Sequence, residues 1–275
     1  MTQRSITHDQ PDIPPHYCHL SMKIVRFRAG EDIAYGLAES EGVTLYQGSP
    51  FFAWEPTETL IPWDRVQLLA PSLPSKVVCA GRNYVDHAGE MGRDVPDEPL
   101  IFLKPATSVI GPDARIVLPP QSDEVHHEGE VVAIIGKVAK NVRAEDASQY
   151  IFGYTAGNDV TARDLQRKDQ HFTRAKGFDT FCALGPAIET EFDPLEKMAV
   201  ETRVNGDVRQ AGFTSEMVFG VAELLAHISA IMTLLPGDAI MTGTPSGVGP
   251  FENGDLVEVE VEGIGVLSNP AVRLT

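Results

Sequence analysis

Cysteine is scarce and odd in number: the chain has three, Cys18, Cys79 and Cys182, and no CxxC pair. That argues against a disulfide framework or a thiolate zinc site and points to a reducing compartment. Long apolar runs are missing. No stretch approaches the ~20 residues that a membrane helix needs, and residues 1–30 hold no continuous apolar segment of the kind a secretory leader carries. A cytoplasmic protein is expected. Basic residues are outnumbered, with 22 Lys plus Arg against 39 Asp plus Glu and a net charge of -17. Such a surface repels nucleic acid and anionic membrane, so a small anionic substrate would need cations gathered locally. GxGxxG after a strand, GxxxxGK[ST] and GxSxG are absent as well, which disfavours a nucleotide enzyme or a serine hydrolase.

What the chain does have is punctuation. Its 24 Gly and 20 Pro break 275 residues into many short elements, unlike a helical bundle. Residues 1–21 are polar, Pro-containing and without periodicity, and read as a disordered or loosely docked tail. Residues 22–74 read as a small N-terminal β domain: KIVRFRA, IAYGLAE and GVTLYQ alternate as a meander, SPFFAWEPTETLIPWD reads as a loop, and PSLPS has the composition of a linker. Residues 75–275 form the main domain, dominated by candidate strands such as KVVCAG, EVVAIIGKV, FGYTAGNDV and LVEVEVEG. Asn205-Gly206 predicts a tight hairpin. Helices are predicted in NYVDHAGEMG, in TARDLQRKDQ with Thr161 as N-cap, and in TSEMVFGVAELLAHISAIMTLLPG with Met217, Val221, Leu224, Leu225, Ile228 and Met232 on one face. Strands do not alternate regularly with helices, so the expected class is α+β and β-rich.

The chemistry centres on His126-His127-Glu128-Gly129-Glu130. Residues i and i+2 of a strand face the same way, so Glu128 and Glu130 repel unless a proton or a hard cation such as Mg2+, Mn2+ or Ca2+ lies between them. Taken alone, the pair reads more readily as a solvated strand end, since surface strand ends are rich in charge. Asp159 ends the apolar strand FGYTAGND just before a helix, where it either completes a ligand set or caps that helix. His87 and Glu90 stand at i and i+3, the spacing of an imidazole oriented by a carboxylate, or of a surface pair. Arg163, Lys176 and Lys104 are candidates for holding a substrate carboxylate, and the hydroxyls and amides of Thr242-Gly243-Thr244 for holding an anion.

These pieces, in this order, resemble the fumarylacetoacetate hydrolase family from about Lys76 to the end. The matching strings are GRNYVDH, FLKP, HHEGEVVAIIGK, NDVTARDLQ, RAKGFDTF and LLPGDAIMTGTPSGVG. The resemblance implies a mixed β-sandwich roll, often dimeric, with Glu128, Glu130 and Asp159 holding Mg2+ or Mn2+. It implies that His87 and Glu90 lie on a lid, and that Arg163, Gln166, Lys176 and Thr244 contact the substrate. Arg82-Asn83 stands where fumarylacetoacetase proper has an extra Asp near the metal, so the smaller bacterial homologues fit better.

The expected activity is a Mg2+- or Mn2+-dependent reaction on a small 2-oxo acid through an enolate. The reaction is C–C cleavage, either acylpyruvate hydrolysis or oxaloacetate decarboxylation, with His87, Glu90 and Lys176 as catalytic groups. The alternatives are an isomerase of the 2-hydroxyhepta-2,4-diene-1,7-dioate type and a non-catalytic metal- or ligand-binding homologue. A homodimer is expected, with no nucleic-acid or membrane partner.

Overall fold

The computed structural model describes residues 22–90, 94–169, 171–191 and 197–274; the tail expected at 1–21 lies outside them. The architecture is α+β and strand-rich. A large mixed sheet runs from the N-terminal strands to the strand Leu100–Lys104, a five-stranded sheet packs against it, and a three-stranded sheet completes the roll. Among the described residues no helix is long and apolar enough to cross a membrane.

The strand Gly129–Ile135 explains how the layers meet, because every residue in it is buried. Val131, Ala133 and Ile135 join a core shared with Val200, Val259 and Leu267 of the five-stranded sheet and with Leu224, Leu225 and Ile228 of the helix Val221–Ile231. Val132 and Ile134 face the other way, into a core with Val77, Cys79, Cys182, Leu184 and Met241. A strand coated on both faces must be apolar along its whole length, as VVAII is.

The N-terminal meander does not stand apart. Lys23–Ala29 pairs antiparallel with Cys182–Glu189 through Ile24 and Ile188, which extends the main sheet. The segment expected as a loop contains the nine-residue strand Trp54–Pro62, paired with Gly42–Gly48. Pro56 and Pro62 hid it from the sequence reading. It lies at the sheet edge, where proline is tolerated, and Trp54 stacks on Tyr46 at 4.1 Å.

Two helix expectations need correction. The long helix begins only at Val221, with Gly220 as N-cap and the Glu223 carboxylate accepting the Gly220 amide at 2.8 Å. Met217 instead forms a β-bridge with Tyr84, so the buried face reduces to Val221, Leu224, Leu225 and Ile228. Thr161 is not an N-cap. It lies in the short strand Thr161–Ala162, its hydroxyl donates to the Asp159 carbonyl at 2.9 Å, and the helix is Arg163–Lys168. The Asn205-Gly206 hairpin is present, with positive φ of 53° and 84° closing Ala199–Val204 onto Asp207–Phe213.

The Pro/Ser stretch 71–75 is clamped at its end. Asp238 accepts hydrogen bonds from the Ser75 amide (2.9 Å), the Ser75 hydroxyl (2.7 Å) and the Leu235 amide (2.8 Å), and pairs with Lys76. Burial pushes the Asp238 carboxyl up, but Lys76, the Leu235 amide and Ser75 outweigh it and hold the group below the usual carboxylate range. A carboxyl depressed in the folded state contributes stability above its unfolded pKa, and loses it as pH falls through the folded value. Asp238→Asn is therefore expected to cost about 2–3 kcal/mol at neutral pH. The gap should close in acid, as read by denaturant melts at both pH values; an equal loss in acid would rule out the charge as the source.

Candidate functional site

Antiparallel pairing assembles the acidic cluster. Glu128 sits at the junction of Val125–His127 and Gly129–Ile135. The neighbouring strand Ile151–Asp159 pairs Gly129 with Asn158, and the Asp159 amide donates to the Glu128 carbonyl at 2.9 Å. Ligand atoms of Glu128, Glu130 and Asp159 all lie within 4.8 Å of one another, and all three residues are buried. Gly129 is required between the two glutamates, since a Cβ there would meet the Thr202 hydroxyl at 2.0 Å.

Three buried cations face the three carboxylates. The Lys176 ammonium is 2.6 Å from both Glu128 and Asp159, Lys104 pairs with the other oxygen of Asp159, and Arg163 pairs with Glu128. Burial pulls the Lys176 ammonium down, but Asp159 and Glu128 prevail and hold it at about 12. Among the described residues Glu130 has no cation in direct contact; it accepts the Gly243 amide at 2.8 Å. Burial, Asp159 and Glu128 together push its carboxyl well above the usual range. A buried all-oxygen set with one member driven toward protonation fits a hard divalent cation, which would relieve the repulsion.

Apart from the His87 side chain, the residues singled out in the sequence can be placed in the structure. Arg163 donates to Gln166 at 2.5 Å and to Nδ1 of His126 at 3.4 Å, while His126 Nε2 lies 3.0 Å from Glu124. With Arg163 donating to Nδ1, the ring proton belongs on Nε2, facing Glu124, and burial followed by the Arg163 charge pushes the His126 pKa down against the pull of Glu124. Thr244 donates its hydroxyl to the Gly129 carbonyl at 2.8 Å. Within the Thr242-Gly243-Thr244 turn the Gly243 amide is taken by the Glu130 carboxylate, and the Thr242 hydroxyl by the Val131 carbonyl. Lys104, expected as a carboxylate holder, is fully buried on Asp159 and the Val160 carbonyl and serves as a counter-ion to the cluster. His87 and Glu90 lie in the helix Val85–Glu90. Glu90 accepts the Gly247 amide at 3.2 Å, three residues past Thr244; the side chain of His87, and with it the expected pairing, lies outside the described residues.

Sequence reasoning missed Gln210. Its side chain is buried and ties the site together, with Oε1 facing His127 Nδ1 at 2.9 Å and accepting the Gly129 amide at 3.1 Å. Its amide nitrogen donates to Thr244 at 2.7 Å and to the Pro245 carbonyl at 2.8 Å. A lone Gln in the strand Asp207–Phe213 offers no sequence signal. The cluster opens into a cavity of about 760 Å³, lined by Glu128, Glu130, Arg163, Lys176, Thr244 and Arg82 among others.

A strand-rich roll with a buried carboxylate triad ringed by cations is a framework that could hold a divalent cation. The chain belongs to the fumarylacetoacetate hydrolase family: the family model described as fumarylacetoacetate (FAA) hydrolase C-terminal matches residues 76–272. A second, described as Rv2993c-like, N-terminal, matches residues 22–71. The chain is 45% identical over 226 residues to human mitochondrial oxaloacetate tautomerase FAHD2B, covering 78% of this chain and 72% of that protein. It is similar to the crystal structure of 5-carboxymethyl-2-hydroxymuconate delta-isomerase from Mycobacterium smegmatis, with a TM-score of 0.86 and 47% identity over 92% of this chain and 100% of that one. Fumarylpyruvate hydrolase from Pseudomonas aeruginosa, solved with Mn2+ and pyruvate, is similar at a TM-score of 0.70 and 34% identity, covering 76% and 92%.

Proposed function

We propose that this protein is a divalent-cation-dependent enzyme of small 2-oxo acids that works through the enol or enolate at C3, with keto–enol tautomerisation of oxaloacetate as the favoured reaction. The observation that carries the reading is the buried carboxylate triad faced by Lys176, Lys104 and Arg163 at the wall of an open cavity. Glu128, Glu130 and Asp159 would hold Mg2+ or Mn2+, which supplies Lewis acidity toward a 2-oxo carboxylate.

The remaining work falls to the chain's own groups. Lys176 and Arg163 offset the ligand charge and keep the region attractive to an anion in an otherwise acidic protein. Gln166 fixes the Arg163 fork. Gln210 and Thr244 hold the backbone on either side of Gly129, so the two glutamates keep their spacing. His87 is the proposed proton carrier at C3. C–C cleavage, the reaction favoured by the sequence, remains the second reading. The pyruvate-bound hydrolase relative supports it, whereas the relatives sharing 45% and 47% identity are named for proton transfer. A homodimer belongs to the same proposal, supported by the family resemblance, as does a cytoplasmic location, supported by the scarce cysteine and the lack of long apolar runs.

The test uses chelator-treated protein with and without Mg2+ or Mn2+. Oxaloacetate enol decay and pyruvate release are followed together, with acylpyruvates and a 2-hydroxydienoate as further substrates. Metal-dependent enol decay without pyruvate is the expected result, and pyruvate release would move the assignment to cleavage. Silence on every substrate, with the cation bound, would reject the enzyme reading in favour of a ligand-binding homologue.

A further inference from the structure

Four cations line the cavity above the triad: Arg82, Arg163, Arg167 and Lys176. Three are already matched to carboxylates. Lys176 pairs with Glu128 and Asp159, Arg163 with Glu128, and Arg167 grips both oxygens of Glu124. Arg82 is different. Among the described residues its guanidinium makes a single hydrogen bond, from Nη1 to the Asp94 carbonyl at 3.2 Å, and forms no ion pair. In a chain with a net charge of -17, a half-buried guanidinium that faces a cavity without a carboxylate partner stands out.

Its backbone adds a second, independent observation. Arg82 has φ of 56°, in the left-handed region that glycine or asparagine occupies at lower cost. The surroundings enforce it. The next residue, Asn83, is buried, donates to the Phe219 carbonyl at 2.9 Å and the Thr242 carbonyl at 2.8 Å, and accepts the Phe219 amide at 2.8 Å. Strained non-glycine positions persist where the structure over-determines them, and they cluster at ligand clamps. Apolar Leu100, Phe102 and Phe172 supply further wall of the same cavity, a surface suited to a short carbon chain rather than to a second charge.

We propose that Arg82 binds the far carboxylate of a doubly charged 2-oxo acid whose 2-oxo carboxylate end lies at Glu128, Glu130 and Asp159. The inference rests on the 2-oxo acid reading above and makes Arg82 the residue that selects dicarboxylates over monocarboxylates. A guanidinium is suited to the task because it presents paired donors to a carboxylate and keeps its charge at every working pH.

The experiment compares the full chain, loaded with Mg2+, as wild type, Arg82→Gln and Arg82→Lys. Both replacements keep a Cβ on the same left-handed backbone, so the difference between them reads the charge rather than the turn. Dissociation constants are measured by calorimetry for pyruvate and 2-oxobutanoate, which lack a far carboxylate, and for oxaloacetate and 2-oxoglutarate, which have one. Arg82→Gln is expected to weaken at least one dicarboxylate by about 10- to 100-fold and the monocarboxylates by less than about twofold, with Arg82→Lys restoring much of the loss. Equal weakening of both groups, or none, would overturn the assignment of Arg82 while leaving the 2-oxo acid site intact. Wild type that binds none of the four would overturn both.

Discussion

Glu130→Gln is expected to abolish cation-dependent turnover and, at the same time, to make the cation-free chain more stable. The Glu130 carboxylate is buried between Asp159 and Glu128 and is pushed toward protonation by burial and by both charges. A group whose folded pKa lies above its unfolded value leaves the fold most stable in acid, and that contribution is lost as pH rises through the raised value. Glutamine has the same shape, and its carbonyl oxygen can keep the Gly243 amide, now at 2.8 Å from Glu130, while the repulsion disappears. The gain in the chelator-treated protein should be about 1–2 kcal/mol near neutral pH and should shrink in acid. Added Mg2+ or Mn2+ reverses the order, because only the wild type keeps three carboxylates to bind it and be stabilised by mass action. Thermal melts of both proteins, with chelator and with cation, decide the matter. A variant less stable than wild type without cation would mean that the carboxylate is not repelled where it lies.

Gln210→Leu should be the most destabilising single change near the site. The substitution keeps the volume but leaves the Gly129 amide, the Pro245 carbonyl and the His127 ring without their Gln210 partner in a region closed to water. Each orphaned buried polar group costs about 1–3 kcal/mol, so a total of about 3–5 kcal/mol and a fall of roughly 10 °C or more in Tm are expected. Turnover should fall even at temperatures where the variant is folded, since Gly129 sits between the two glutamates. A variant that melts like wild type would show that the backbone around Gly129 holds its shape without this side chain.

The acidic cluster was legible because its geometry is local. Glu128 and Glu130 need only the period of a strand, and Asp159 needs only the neighbouring strand in antiparallel register. Arg163 and Gln166 share one helical turn. Partner choice across the fold was not legible: nothing in FLKP says that Lys104 will neutralise Asp159 rather than meet a substrate, and nothing in VRQAG marks Gln210. Local rules also misled where tertiary contacts overrode them. Pro56 and Pro62 masked an edge strand, and a hydrophobic face ran the long helix back to Met217, although Gly220 starts it and Met217 pairs with Tyr84. The β-rich class was recoverable from alternation and turn residues, whereas the joining of the N-terminal meander to the main sheet required a pairing between Lys23–Ala29 and Cys182–Glu189.

That joint bears on how such chains can be recombined. The stretch 71–75 invites a cut by its composition, yet Ser72 donates to the Gly237 carbonyl, Ser75 and Lys76 are fastened to Asp238, and Ile24 is stitched to Ile188. An N-terminal unit exchanged from a relative would arrive with a foreign sheet edge, and a cut within 71–75 would fall among the serines that bond Gly237 and Asp238. A workable chimera would therefore carry the 235–238 turn and the strand Cys182–Glu189 along with the first seventy or so residues, inheriting from one parent pieces far apart in the gene.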